Sequence, residues 1–310
     1  MGLTLSDRIA VVLSEAYLNL GEVMLYIPFA RVHKGIEKRK GLCYGTGRRA
    51  SLDVFRPEGR EGKLPLFVYI HGGGFVSGLR PNRRFYCYNW AEEGFVAANI
   101  GYDYALAAVH PDHIRQVFKG IEFVLERAEE FGIDTSRVVV AGDSAGGYLA
   151  ALVGAVASHP ELYDDLGIDF RFRESFRVSA LVLLSGLFDP VRSIGTRFPS
   201  IGLYVRAFLG KSKEELVSYS SREGALPAAV DSYADHDFPP AFIVASKADR
   251  LKAESETLRD ELAAAGARYG YFLCTGINGV HAGALACELA RSGRECLAEA
   301  QKFVKDILGM

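Results

Sequence analysis

The sequence predicts an α/β fold, with a mostly parallel central sheet covered by helices on both faces. Three observations carry this. Short, wholly apolar runs such as Leu66-Phe67-Val68-Tyr69-Ile70 and Val138-Val139-Val140 alternate with longer stretches of helical periodicity. Runs that are apolar at every position suit strands buried on both sides, the condition met inside a parallel sheet. Two of these runs stop abruptly at glycine-rich turns, His71-Gly72-Gly73-Gly74-Phe75 and Gly142-Asp143-Ser144-Ala145-Gly146-Gly147.

The elements follow in order. Ile9, Val12, Leu13, Ala16, Tyr17 and Leu20 recur at helical spacing, which predicts an amphipathic helix over 5–20 packed through its apolar face on the core. Alternation in Leu52-Asp53-Val54-Phe55 places the first strands within 42–57. A strand at 66–70 leads to a helix at 83–93 and a strand at 95–101. The helix at 112–131 carries Ile114, Val117, Phe118, Ile121, Val124 and Leu125 on one face. The strand at 137–141 precedes the second glycine turn and a helix reaching about 157. Further strands are expected at 180–185, 241–246 and 269–273, with helices at 253–265 and 285–308. Between 187 and 240 the alternation breaks into an aromatic-rich and then charged stretch. Long insertions after a sheet strand tend to carry function, and this one reads as part of a lid. Phe198, Leu203, Tyr204 and Phe208 either line a pocket or bury the insertion against the core.

Composition narrows the function class. The 310 residues suit one large domain with an insertion, and 49% hydrophobic content is enough for a substantial core. A net charge of −2 without a basic tract argues against nucleic acid. The five cysteines are odd in number and show no metal-ligand spacing, so thiols in a reducing, cytoplasmic setting are expected. Asp7, Arg8 and Glu15 interrupt the first apolar residues, so neither a signal peptide nor a membrane span is expected there.

The turn around Ser144 has the G-x-S-x-G pattern between strand and helix, the setting that pushes a serine hydroxyl out of a tight elbow. Gly142 and Gly146 remove side chains that would crowd it, and the helix N-terminus favours developing negative charge. Three successive glycines at 72–74 leave N–H groups uncovered, and such groups can converge on one oxygen atom.

The pair HGGGF and GDSAGG resembles the hormone-sensitive-lipase-like family of α/β-hydrolases, the fold-3 esterases. The likeness runs from about Leu52 to the C-terminus. It implies the α/β-hydrolase fold with a helical cap: an N-terminal cap segment at 1–45, and a catalytic domain at 46–310 with a cap insertion at about 187–240. In such hydrolases the chain order is serine, acid, histidine. His281, after the last expected strand, falls on the same sheet edge as Ser144, and Asp249, after the strand at 241–246, supplies the acid. Asp249 could instead cap the next helix. Asp189, at the end of the preceding strand, is the rival acid. The D-P-L-x-x-E pattern appears as Asp249-Arg250-Leu251-Lys252-Ala253-Glu254, without its proline. The family's Y-R-L-A-P-E reads Tyr104-Ala105-Leu106-Ala107-Ala108-Val109, and Gly283 stands where an aromatic often follows the histidine.

The resemblance thus implies a serine carboxylesterase acting on short to medium acyl esters. Ser144, His281 and Asp249 form the triad, and the oxyanion is held by the N–H groups of Gly73, Gly74 and Ala145. His71, Gly72 and Asp143 support the loop. No metal or organic cofactor is needed. The partners implied are a small ester and a second copy of the chain in a homodimer, with neither nucleic acid nor membrane. Two other readings stand beside it: a serine amidase such as an aryl formamidase, and a non-catalytic ligand-binding protein, as in the plant gibberellin receptors. The latter lose the histidine that this chain keeps.

Overall fold

The computed structural model describes residues 2–26, 33–219 and 228–310. Parts of the two expected cap segments, 27–32 and 220–227, lie outside the described residues. Eight strands form one sheet in the order β1-β2-β4-β3-β5-β6-β7-β8. These are β1 Ile36–Cys43, β2 Ser51–Pro57, β3 Leu64–Ile70, β4 Val96–Ile100, β5 Ile133–Asp143, β6 Ala180–Leu184, β7 Ala241–Ser246 and β8 Tyr269–Cys274. β1 and β2 run antiparallel to their neighbours, and every pairing from β4 to β8 is parallel. Residues 36–43, within the segment assigned to the cap by sequence, form the edge strand β1. Its run Glu37-Lys38-Arg39-Lys40 keeps the open edge charged, which disfavours edge-to-edge pairing.

The two-residue period of a strand divides the core. Leu66, Val68 and Ile70 of β3 face the helices Asp112–Glu126 and Ala145–Ser158, whereas Phe67 and Tyr69 face the helices Arg84–Glu92 and Arg291–Leu308. On the second face Trp90 stacks on Phe67 with centroids 4.2 Å apart. The helix Ala145–Ser158 is buried on every side as far as Val156 and accordingly is apolar all round. The helix expected over 112–131 ends at Glu126, and a short second helix, Ala128–Phe131, stops at left-handed Gly132. The last helix starts at Arg291, later than expected, and leaves 275–290 as the loop that carries His281.

The N-terminal helix spans Leu5–Tyr26. Its expected packing is overturned: Ile9, Val12, Leu13, Tyr17 and Leu20 are 53–77% exposed. The docked face is largely polar. Asp7 takes two hydrogen bonds from Arg206, Glu15 accepts one from Arg49, Asn19 one from the Gly78 N–H, and Glu22 one from the Leu79 N–H. Periodicity located the helix correctly, but backbone donors left open by the glycine loop select the acceptor-rich face. Among the described side chains of the helix, only Val11 is a fully buried apolar one, against Val76, Ala105, Tyr204 and Ala207. Among the described residues, no helix is long and apolar enough to cross a membrane.

Candidate active site

Three loops meet at the C-terminal edge of the sheet. Ser144 follows β5 with φ 52° and ψ −119°, a conformation that side chains rarely adopt and that costs roughly 1–3 kcal/mol. The surroundings enforce it. A Cβ on Gly142 would lie 2.2 Å from the Gly146 carbonyl oxygen, and one on Gly146 would lie 2.1 Å from that of Ile70. The Ser144 N–H donates to Leu184 O at 2.8 Å, which ties the elbow to β6.

His281 Nε2 lies 2.9 Å from Ser144 Oγ, and His281 Nδ1 lies 2.8 Å from Asp249 Oδ2. The structure therefore brings together the serine, histidine and carboxylate read from the sequence. Asp249 does not cap the next helix, whose N-cap is Leu251; its Oδ1 accepts from the Leu251 N–H at 2.9 Å in the turn before that helix. Asp189 is occupied elsewhere: its carboxylate caps the helix Pro190–Ser193 by accepting from the N–H groups of Val191 and Arg192. The acid and histidine loops are joined directly, with the Ala248 N–H donating to Gly279 O at 2.8 Å.

The glycine loop lies beside the serine. The Gly73 carbonyl accepts from Val76 N, Ser77 N and Ser77 Oγ, which turns that peptide's oxygen into the protein. Gly73 and Gly74 have φ of 121° and 61°, and a Cβ on Gly73 would fall 2.2 Å from Ser77 O. Among the described residues their N–H groups donate to no protein acceptor. Ala145 opens the helix after the serine, where an N–H has no intrahelical partner.

Beneath the loop is a buried charge network. Asp143 accepts from Tyr69 OH at 2.8 Å, from the Gly72 N–H at 3.0 Å, and from Arg83 Nε and Nη2 at 3.1 and 3.0 Å. Burial pushes its carboxyl up, but the Arg83 guanidinium and these hydrogen bonds outweigh burial and hold it below the usual carboxylate range. Arg83 Nη2 also donates to Glu22 Oε1 at 2.9 Å, which connects the N-terminal helix to the base of the site. His71 is buried and stacked on Tyr102 at 4.4 Å, and its Nδ1 lies 2.8 Å from Gly72 O. Burial lowers its pKa to about 4, so it stays neutral at physiological pH.

Sequence reasoning missed Arg83, Tyr69 and Tyr102. A signal existed for the first: Arg80, Arg83 and Arg84 crowd the segment after the glycine loop, where charge without a buried acid would be costly. Arg80 and Arg84 both pair with buried Asp53.

The BD-FAE family profile matches residues 52–262, more than half of the chain. The chain belongs to the BD-FAE family. Among curated proteins it is 27% identical to the isoprenylcysteine alpha-carbonyl methylesterase ICME of Arabidopsis thaliana over 77% of this chain and 55% of the relative. It is 33% identical to the esterase LipC of Mycobacterium tuberculosis over 43% of this chain and 34% of that protein. The chain thus spans about half, or less, of the curated relatives it matches. Esterase B from Lactobacillus Rhamnosis superposes with a TM-score of 0.84 at 20% identity, covering 97% of this chain and 95% of that one. With the sheet order above, this is the α/β-hydrolase fold.

In this BD-FAE chain the insertion reaches the site through two aromatic side chains. The Phe198 ring sits 4.6 Å from the His281 ring, and a Cβ on Gly74 would meet the Tyr204 ring at 2.8 Å. Phe208 instead stacks on Phe75 at 3.9 Å, within the core. Leu203 packs toward the N-terminal helix. The four aromatic and aliphatic candidates therefore divide, two at the site and two in packing. Glu254, the retained end of the acid motif, accepts from the N–H groups of Phe188 and Asp189 and pairs with Arg192 at 2.8 Å. It fastens the start of the insertion to the helix after Asp249.

Proposed function

We propose that the chain is a serine carboxylesterase of short to medium acyl esters. The unbroken hydrogen-bonded line Ser144–His281–Asp249 carries this reading. Ser144 Oγ attacks the ester carbonyl while His281 Nε2 takes its proton, and Asp249 stabilises the imidazolium. The oxyanion is held by the N–H groups of Gly73, Gly74 and Ala145, each such donor typically worth ~3 kcal/mol in the transition state. His281 then gives the proton to the leaving alkoxide oxygen. Water, deprotonated by the same imidazole, attacks the acyl-enzyme and frees the acid and Ser144. Asp143 and neutral His71 hold the glycine loop and exchange no proton with substrate.

An apolar acyl group fits the surroundings of the base, where Phe198 abuts His281 and the flanking Ile277 and Val280 are exposed. The Arabidopsis relative is named a methylesterase, which adds methyl esters to the panel to be tried. The cap belongs to the proposal, as the N-terminal segment of 1–45 and the insertion at about 187–240. So does a homodimer, for which the exposed apolar stripe of the N-terminal helix is the available surface. A cytoplasmic location is part of the proposal, and the scattered, odd-numbered cysteines support it.

The test is a p-nitrophenyl ester series from acetate to decanoate with wild type and Ser144→Ala. Turnover that is highest at short or medium chains and absent from the variant is expected. Wild-type turnover by the variant would refute the assignment, and anilide or formamide cleavage exceeding ester cleavage would favour an amidase.

A further inference from the structure

His281 sits on a long loop, 275–290, between β8 and the last helix. A base on a loop needs something to fix it on both sides; after the imidazole Ala284, Leu285 and Cys287 are buried in the core, whereas before it Ile277 and Val280 are 74% and 55% exposed. Ala282, next to the histidine, adopts left-handed φ 52°, so the chain turns sharply there. Two residues beyond His281 stands Gly283, with no side chain to pack.

One side chain inside the loop is fully buried and polar. Asn278 donates from Nδ2 to Gly283 O at 2.8 Å and to Ala286 O at 3.1 Å, and its Oδ1 accepts from the Gly293 N–H at 2.9 Å. The amide therefore binds both sides of the histidine turn to the first turn of the last helix. Its own carbonyl accepts from Ser246 Oγ at 3.4 Å, at the end of β7, the strand that leads to Asp249. The space is made by glycines. A Cβ on Gly283 would lie 2.4 Å from Asn278 O, and one on Gly293 would lie 2.7 Å from Asn278 Nδ2. Gly293 has no left-handed backbone to explain it; its lack of a side chain admits the Asn278 amide and the Cys287 Cα, which a Cβ would meet at 2.9 Å.

We infer that Asn278 is a positioning residue for His281, its buried amide clamping the loop so that the imidazole stays within reach of both Ser144 and Asp249. The role rests on the esterase reading for its kinetic consequence, but the clamp itself is a property of the fold. Asn278 touches no reacting atom. Without it, the carbonyls of Gly283 and Ala286 and the N–H of Gly293 lose their partners in a buried site, and the turn relaxes.

Two variants and two readouts decide the matter. Asn278→Ala removes the clamp. Gly293→Ala intrudes on it from the helix, at a position where alanine favours helix. On p-nitrophenyl butyrate both lower kcat, Asn278→Ala by about 100-fold, with KM within about threefold of wild type, because a loosened base acts on the transition state more than on binding. Hydrogen exchange read by mass spectrometry reports the loop whether or not the protein turns over esters. Faster exchange confined to 275–290, with the β5 elbow unchanged, is expected in both variants. If Asn278→Ala does not fold, Gly293→Ala alone decides by the same two criteria. Unchanged exchange in 275–290 overturns the clamp. Faster exchange with wild-type kcat overturns the positioning role. Failure of the esterase reading appears separately, as wild-type protein without Ser144-dependent turnover, and the exchange result then still decides whether the clamp exists.

Discussion

At the scale of single residues, the site depends on side chains whose partners are already in place. Asp249 orients the imidazole through one oxygen and holds its own turn through the other. Asp249→Asn keeps the shape and presents the wrong tautomer to His281. Its kcat on p-nitrophenyl acetate is expected to fall by about 10⁴, as such substitutions do in serine hydrolases. Gly73→Ala forces a methyl group onto the Ser77 carbonyl and misaims the donor, so ester turnover should drop at least about 100-fold without loss of the folded far-UV signal. Asp143→Asn leaves the Arg83 guanidinium buried beside an amide in place of its carboxylate partner. Urea unfolding at pH 7 should show a loss of about 3 kcal/mol. The serine, acid and histidine were legible because chemistry restricts them to a few types at strand ends in a set chain order. Asn278 was not, and Arg83 showed only as one of three crowded arginines, since the role of a buried amide or guanidinium is defined by partners distant in sequence.

At the scale of elements, strands were easier to read than loops or helix faces. The runs 66–70, 138–141, 180–184 and 241–245 of β3, β5, β6 and β7 are buried on both sides and apolar throughout, a pattern that marks strands of a covered parallel sheet. The N-terminal helix shows the opposite. Its spacing of apolar residues identified a helix, yet the face turned inward is set by hydrogen-bond donors of the 78–83 segment and by Arg206, which the helix period cannot reveal. Among the described residues its apolar attachment is small, Val11 with the partly buried Leu18, and is surrounded by charge pairs. Val11→Asp should therefore release the helix at a cost of roughly 3 kcal/mol. Limited trypsin digestion would then cut after Arg8, inside the helix, much faster than in wild type, while the sheet resists. Equal cleavage rates would show that the polar contacts suffice.

At the scale of the whole molecule, buried neutral histidines couple the fold to pH. Burial lowers His71 to about 4 and His113 to about 3, from an ordinary 6.5. Between these values the unfolded chain binds protons that the folded chain does not. Stability is therefore full above pH 6.5 and falls as the pH drops from 6.5 toward 4, with a slope of about 1.4 kcal/mol per pH unit for each histidine. His113→Leu, in its aromatic surroundings of Phe75, Tyr102 and Phe208, should bring the urea midpoints at pH 7.5 and pH 5 closer together than in wild type.

The same fold brings three separated loops to one edge, and the functional reading depends on that convergence making Ser144 a nucleophile. A fluorophosphonate probe followed by peptide mass spectrometry measures this directly. One adduct is expected, on the peptide holding Ser144, formed rapidly in wild type, at least about 100-fold more slowly in His281→Ala, and not at all in Ser144→Ala. An adduct on another residue, or equal labelling rates in wild type and His281→Ala, would contradict it.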